Sequence, residues 1–385
     1  MKRTYLDYNA TAPLRPEAHA AMAAALQDVG NASSVHAEGR AARARIETAR
    51  AAVATLVGGD PRSVTFTSGA TEANDTVLTQ DWTLNGKPAP ADVLLVGATE
   101  HPSVTGGGDF APDAVRAIPV DREGIVDVST LEQLLAEAVA AGRRALVSVM
   151  LANNETGAIQ PVREVAALAH KHGAIVHTDA VQAAGRISID VRDLGVDVLT
   201  LSAHKIGGPQ GAGAIIRASD AWSFAPLMTG GGQERRLRAG TENVPAIAGF
   251  GAAAKAAAGD LSRADQWAPW RDRLAEAVGP RATVFSASVP RLPQTLCFAI
   301  PGLSAETLLI ALDLAGIAVS SGSACSSGKV SPSHVLAAMK VPSDLAKCAI
   351  LLSLGWASSE ADLESFASAW RHVLSHVAPG EIQAA

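Results

Sequence analysis

A lysine stands where a buried strand ends, a position that usually requires either a partner for the amine or a chemical role. The apolar run 196–203 leads into Ser202, His204 and Lys205, and a glycine-rich turn follows at once in KIGGPQGAGA. An isolated buried ammonium is costly. A Schiff base with an aldehyde cofactor would use this amine, because desolvation lowers its pKa and makes it nucleophilic.

Pyridoxal 5′-phosphate (PLP) is such an aldehyde, and its other requirements have candidates in the sequence. Its pyridine nitrogen needs a carboxylate, and its phosphate needs hydroxyls and backbone N–H groups at a helix start. Its ring needs a flat cover, and its ring oxygen needs a hydrogen-bond donor. The candidates are Asp179 for the nitrogen, the turn Gly69-Ala70-Thr71 with Ser202 and His204 for the phosphate, His101 over the ring, and Asn154 and Gln182 at the ring oxygen.

Each candidate also has an ordinary structural explanation when it is taken alone. Asp179 is also typical of a helix N-cap or an exposed loop. His101, which precedes a proline, is typical of a turn, and a single lysine such as Lys205 is typical of a protein surface. The joint interpretation is favoured because all of these residues follow predicted strands of one sheet.

The elements that must position these residues alternate along the chain. Near-continuous apolar strands between amphipathic helices predict a mostly parallel sheet covered on both faces, with ligands at the carboxyl ends of its strands. The predicted strands are 63–68, 92–97, 144–151, 174–180 and 196–203, and the predicted helices are 16–29, 38–56, one from about 72, and 161–172.

Length and composition indicate two domains and exclude several classes of partner. A chain of 385 residues is long for one core, and an alanine-rich stretch from about 252 precedes a predicted smaller α/β unit.

A net charge of −6 and 4% aromatic residues argue against nucleic acid or a membrane as partner. Neither a membrane span nor a signal peptide is predicted, so we expect a cytoplasmic protein. Cys297 and Cys348 lie in apolar runs and are expected to pack in the core.

Motifs along nearly the whole chain resemble those of one enzyme family. The motifs are YLDYNATAP (5–13), GNASSVHAEGR (30–40), FTSGATEAND (66–75), EHPSV (100–104), NNETG (153–157), HTDAVQAAGR (177–186), SAHKIGGPQGAGA (202–214), GGGQERRLRAGTEN (230–243) and SSGSACSSG (320–328). The ordered set resembles the cysteine desulfurases of the NifS/IscS type, in the class V aminotransferase group of fold-type-I PLP enzymes. The resemblance implies an α/β fold with a large PLP-binding domain (15–251) built on a seven-stranded, mostly parallel sheet. A smaller α/β domain would comprise 1–14 and 252–385.

The resemblance also implies a role for each candidate. Thr241, in the stretch RAGTEN, would reach the phosphate of a second subunit, which implies a homodimer. The other implied roles are the Schiff base for Lys205, the pyridine nitrogen for Asp179, the phosphate for Ala70, Thr71, Ser202 and His204, the ring oxygen or substrate for Asn154 and Gln182, and stacking on the ring for His101.

Cys325 matches the family's sulfur-accepting cysteine and defines the implied reaction. L-Cysteine would become L-alanine, Lys205 removing the α-proton and His101 assisting a proton transfer, while Cys325 takes the sulfur as a persulfide. The persulfide would pass to a scaffold protein for iron–sulfur cluster assembly, with nitrogenase maturation and general supply both open. No intrinsic metal site is expected, and any contact of Cys325 with an iron–sulfur cluster would be transient.

Leu351 is the main departure from the family pattern. Relatives have an arginine at this position that binds the substrate carboxylate, whereas this chain has AILLSLG (349–355). Losing a bidentate arginine–carboxylate pair weakens substrate binding unless another group substitutes. A selenocysteine lyase, another PLP-dependent amino-acid β-lyase, or a catalytically weakened partner protein of the same fold are therefore alternatives.

Overall fold

The structure is a computed structural model that describes residues 3–322 and 333–377. The predicted helices 16–29, 38–56 and 161–172 and the helix near 72 are present, with ends that differ by one or two residues. The α-helices in the described residues are α1 (Pro16–Gln27), α2 (Ala37–Leu56), α3 (Ala70–Val77), α4 (Pro102–Thr105), α5 (Val128–Ala140), α6 (Val162–Lys171), α7 (Val191–Leu194), α8 (Val244–Gly259), α9 (Ala264–Val278), α10 (Ala305–Leu314), α11 (His334–Ala338), α12 (Ser343–Ala346) and α13 (Glu360–Val377).

The strands include all five of the predicted ones, which correspond to β2, β5, β7, β8 and β9 in the numbering that follows. The strands are β1 (Thr4–Tyr5), β2 (Val64–Thr67), β3 (Trp82–Leu84), β4 (Lys87–Pro88), β5 (Val93–Gly97), β6 (Val115–Ile118), β7 (Ala145–Ser148), β8 (Ile175–Asp179), β9 (Val198–Ser202), β10 (Gly213–Arg217), β11 (Trp222–Phe224), β12 (Thr283–Val284), β13 (Thr295–Ala299), β14 (Ile317–Ala318), β15 (Ser320–Ser321) and β16 (Ala349–Ser353).

The large sheet has seven strands in the order β2-β10-β9-β8-β7-β5-β6. Its pairs are parallel from β9 through to β6, whereas β10 runs antiparallel to both β2 and β9. The prediction of a seven-stranded, mostly parallel sheet is therefore confirmed. Because β2 runs in the same direction as β9, the carboxyl ends of six strands lie along one edge of the sheet.

The central strands are buried along their whole length, as expected for strands covered on both faces by helices. At the functional edge, the start of β10 passes directly against the turn that leads into α3. A Cβ atom at Gly213 would lie 2.5 Å from the backbone carbon of Gly69. Only glycine at position 213 lets these two backbones approach so closely.

A second, smaller core lies around the four-stranded sheet β12-β13-β16-β15. It combines the N-terminal residue Leu6 with side chains from α9, α10 and α13, and β1 pairs with β14. Helix α8 packs on α1 and α2. The predicted domain boundary at 251/252 falls inside α8. The division into 15–251 and 1–14 with 252–385 stays a prediction. No helix in the described part of the chain is long and apolar enough to cross a bilayer.

Candidate active site

A cavity of ≈ 520 Å³ lies at the carboxyl ends of the large sheet's strands. Its lining combines the edge of the large sheet with residues of β15 and β16 from the smaller sheet. Nine of the residues predicted from the sequence line it together: Ala70, Thr71, His101, Asn154, Asp179, Gln182, Ser202, His204 and Lys205. We call these nine residues the sheet wall.

Lys205 lies on a single helical turn that follows β9 directly. The turn ends at Gly207 with φ of 84°, and a Cβ atom there would lie 2.6 Å from the Arg15 side chain, so glycine is required. The Lys205 ammonium donates to the carbonyl oxygens of Asn9 and Ala10, the latter at 2.9 Å. The N-terminal segment therefore positions the amine in the cavity.

The N-terminus of α3 offers an anion site beside the amine. Its N-cap residue is Gly69, which provides no side-chain acceptor for the first N–H groups of the helix. Such N–H groups and the helix dipole favour a phosphate. Burial, and then the charge of Lys205, lower the pKa of His204 to about 4, so its imidazole is neutral at neutral pH.

Asp179 ends β8 and is fixed by two donors. Its Oδ1 accepts from the N–H of Val181 at 2.9 Å, and its Oδ2 accepts from Nδ2 of Asn74 at 2.9 Å. His101 caps α4, with its Nδ1 2.8 Å from Oγ of Ser103. Burial lowers the pKa of His101, an effect that the nearby charge of Asp179 opposes.

The turn after β7 directs Asn154 and Glu155 toward the cavity. Asn153 stabilises this turn because its Oδ1 accepts from the N–H groups of Glu155 and Thr156, at 2.9 and 3.0 Å. Two buried amide oxygens of the cavity lining, Oδ1 of Asn154 and Oδ1 of Asn9, have no hydrogen-bond partner within the described residues. Buried amide groups of this kind are usually paired, so these two oxygens are available as acceptors to a molecule bound in the cavity.

A further part of the lining, which we call the small-sheet wall, comprises Ser320, Ser321, Gly322 and Leu351, on or next to β15 and β16, with Glu155 of the turn after β7 beside Gly322. Leu351 belongs to β16 and lies opposite Ser320 in the strand pairing. Oε2 of Glu155 accepts from Oγ of Ser333 at 2.5 Å. Burial raises the pKa of Glu155 to about 8, so its carboxyl is mostly protonated at neutral pH. None of these five residues carries a positive charge.

Two predicted residues do not join this cavity. Thr241 is exposed and lines a separate cavity of ≈ 190 Å³, together with Arg238 and Asn243. Its predicted contact with another subunit therefore remains a prediction. Cys325 lies outside the described residues, as does most of the stretch SSGSACSSG.

Sequence reasoning did not single out Asn9, Asn74, Ser103 or Glu155 as site residues. Asn74 was missed because a polar residue in a predicted helix ordinarily faces solvent, and Ser103 because no contact of its hydroxyl could be derived from the sequence. Only the packing of α3 on the sheet places Asn74 at 0% exposure, against Asp179. All four residues lie within motifs shared with the family, which is the signal that could have found them.

The side chains of the cavity fit PLP. Lys205 supplies an amine, Asp179 a carboxylate held by two donors, and α3 an uncapped helix start. The amide group of Asn154, which can donate through Nδ2, lies in the same cavity. These are the groups that a pyridoxal ring and its phosphate require.

Comparisons with known proteins show the family of the chain. The model of the Aminotransferase class-V family matches residues 4–366. The chain is similar to a cysteine desulfurase of Cereibacter sphaeroides, at 42% identity over 94% of each chain. It is also 39% identical to the cysteine desulfurase IscS of Dictyoglomus turgidum, over 94% of this chain and 92% of the relative. The solved structure of a NifS-like protein from Rickettsia africae superposes with a TM-score of 0.86 at 36% identity, covering 97% of this chain and 99% of that one. The chain therefore belongs to the class V aminotransferase family of PLP enzymes, as a member of its cysteine desulfurase group.

Proposed function

We propose that this protein binds PLP and converts L-cysteine to L-alanine, transferring the sulfur to Cys325 as a persulfide. The observation that carries the proposal is the meeting of Lys205, Asp179 and the start of α3 in one cavity. PLP bound there would supply an electron sink for the α-carbon of an amino acid.

The sheet wall would hold the cofactor through three separate contacts. Lys205 would attach it, Asp179 would bind its pyridine nitrogen, and Ala70 and Thr71 with Ser202 and His204 would bind its phosphate. His101 would cover the ring, and Asn154 and Gln182 would bind its oxygen or the substrate. The neutral imidazole of His204 suits a phosphate contact, because its N–H can donate without needing a further counterion.

Lys205 and His101 would move the protons. The amine of Lys205 would take the substrate α-proton, and its contacts with the carbonyl oxygens of Asn9 and Ala10 support this placement. The pKa of His101 is lowered by burial, so its imidazole is neutral near neutral pH, and His101 would assist a proton transfer.

Cys325 would receive the sulfur in a step that needs no external oxidant. Its thiolate attacks the substrate sulfur, the S–S bond forms as the Cβ–S bond breaks, and Cβ takes a proton to become the methyl group of alanine. The persulfide would then pass to a scaffold protein for iron–sulfur cluster assembly in the cytoplasm. Thr241 would complete the phosphate site of a second subunit, which its exposure in a separate cavity supports.

Leu351 supports a second candidate function. It lines the cavity at the position where relatives carry the carboxylate-binding arginine. A lyase for selenocysteine or another β-substituted amino acid would keep the same sheet wall. Alanine release from cysteine and from selenocysteine, measured side by side, separates the two functions.

The direct test follows alanine and sulfide from L-cysteine while the cofactor absorbance is recorded. Cys325→Ala is expected to keep the bound cofactor but to form no persulfide. Cys348→Ala is the matched control, because that thiol is buried in the core, and it should turn over at the parental rate. Sulfide release by Cys325→Ala at the parental rate with dithiothreitol would refute Cys325 as the acceptor.

A further inference from the structure

Asn74 is a fully buried residue of α3 whose carboxamide connects two residues of the sheet wall. Its Nδ2 donates to Oδ2 of Asp179 and to Oγ of Ser103, both at 2.9 Å. Its Oδ1 accepts from Oγ1 of Thr200 at 2.6 Å. Both amide hydrogens and the amide oxygen are therefore engaged, at 0% exposure.

The orientation of this amide follows from chemistry. An ionised carboxylate only accepts hydrogen bonds, so the NH₂ group of Asn74 must face Asp179 and the amide oxygen must face Thr200. Thr200 has one hydroxyl hydrogen, which it gives to Asn74. It must then accept from Nε2 of the neighbouring His177, 3.0 Å away.

His177 continues the chain of donors below the cavity. Burial lowers its pKa to about 3, so the ring is neutral and carries one N–H. Since Nε2 donates to Thr200, Nδ1 must accept from Oγ of Ser148 at 2.8 Å. Ser148, His177 and Thr200 are all at 0% exposure, and their hydrogen bonds all run toward Asn74.

The second branch from Asn74 ends on His101. Ser103 accepts from Asn74 and so gives its own hydrogen to Nδ1 of His101, at 2.8 Å. The N–H of Ser103 also points at this nitrogen, at 3.1 Å. Nδ1 of His101 is therefore an acceptor, and the proton of the neutral ring lies on Nε2.

We propose that Asn74 is a positioning residue that holds Asp179 and, through Ser103, His101 in one arrangement facing the cofactor. The carboxamide of Asn74 is itself held by the hydrogen-bonded chain of Thr200, His177 and Ser148. Satisfied buried networks of this kind specify a single geometry, whereas losing one member leaves the others unpaired. The inference rests on the proposed PLP function but concerns residues that need not touch the cofactor.

The test compares Asn74→Leu, which keeps the volume and removes the amide, with the parental holoenzyme. We expect about a tenfold lower kcat for alanine formation and a KM within twofold of the parental value. The dissociation constant for PLP should be about tenfold larger. Thr79→Val is the matched control: it removes another buried hydroxyl, the one bonded to Asp109, and should change neither kcat nor PLP affinity.

Thr200→Val is the second variant, used also if Asn74→Leu does not fold. It leaves the amide in place but removes its anchor, so smaller changes in the same direction are expected. PLP affinity, measured by equilibrium dialysis, does not depend on the substrate. It therefore tests Asn74 even if the parental enzyme makes no alanine from cysteine, a result that would overturn only the proposed function. PLP affinity within twofold of the parental value in the folded variants would overturn the role of Asn74.

Discussion

The two walls of the cavity differ in how completely they are prepared for a ligand. The sheet wall presents an amine, a carboxylate with two donors and an uncapped helix start, and buried side chains behind it fix their orientation. The small-sheet wall presents serines, a mostly protonated Glu155 and the apolar Leu351. A cofactor on the sheet wall and a carboxylate-bearing substrate on the small-sheet wall would thus meet very different surroundings.

This difference separates the residues that the chain shares with the family from the residue that departs from the family pattern. The sheet wall holds the residues that the resemblance assigns to PLP, and they lie together in one cavity. The small-sheet wall holds Leu351 in place of the expected arginine. Changes on the sheet wall should therefore affect every reaction of the cofactor, whereas changes on the small-sheet wall should affect the choice and affinity of substrate.

The largest effect is expected from Asp179→Asn on the sheet wall. The variant keeps the side-chain volume but removes the charge proposed to hold the pyridine nitrogen. Losing a preorganised electrostatic partner lowers kcat on the order of 10²- to 10³-fold. Asp193→Asn, which removes an exposed carboxylate, is the matched control in the same alanine assay. A kcat within threefold of the parental value for Asp179→Asn would show that the sheet wall does not act as proposed.

Leu351→Arg should have the opposite sign, because it adds the missing cation to the small-sheet wall. A charge-assisted contact with the substrate carboxylate contributes about 1.5–3 kcal/mol. We therefore expect kcat/KM for L-cysteine to rise at least about tenfold, mainly through KM. Leu351→Met keeps an apolar side chain of similar volume and should leave kcat/KM unchanged. An equal or lower kcat/KM in a folded Leu351→Arg protein would mean that another group already binds the carboxylate.

Glu155→Gln should have the smallest effect, on how stability depends on pH. Burial raises the pKa of Glu155 from 4.5 to about 8, so the folded protein binds a proton that the unfolded chain releases between these values. The free energy of unfolding therefore falls as pH rises through this window, by at most about 1.4 kcal/mol per pH unit.

Gln keeps an oxygen that can accept from Ser333 but cannot titrate. The melting temperature of Glu155→Gln should accordingly decline less between pH 6 and 8 than that of the parental protein. Glu164→Gln, at an exposed carboxylate, is the control and should follow the parental curve. Parallel curves for Glu155→Gln and the parental protein would contradict a buried, protonated Glu155.

The sequence allowed the sheet wall to be predicted because its residues follow strands directly. Lys205 follows β9, Asp179 ends β8, and His101 lies in the loop after β5. Parallel strands bring such positions to one edge of the sheet. The partners behind them were not predictable in the same way. Asn74 faces Asp179 only because α3 packs on the sheet at a particular angle, and Glu155 contacts Ser333 across a long separation in sequence.

The covalent attachment of PLP to Lys205 is the claim that every other role depends on. Borohydride reduction of the purified protein, followed by peptide mapping, would fix the cofactor on the lysine that carries it. The account predicts the label on the peptide that contains Lys205. A label on a different lysine, or an unlabelled protein after saturation with PLP, would contradict it.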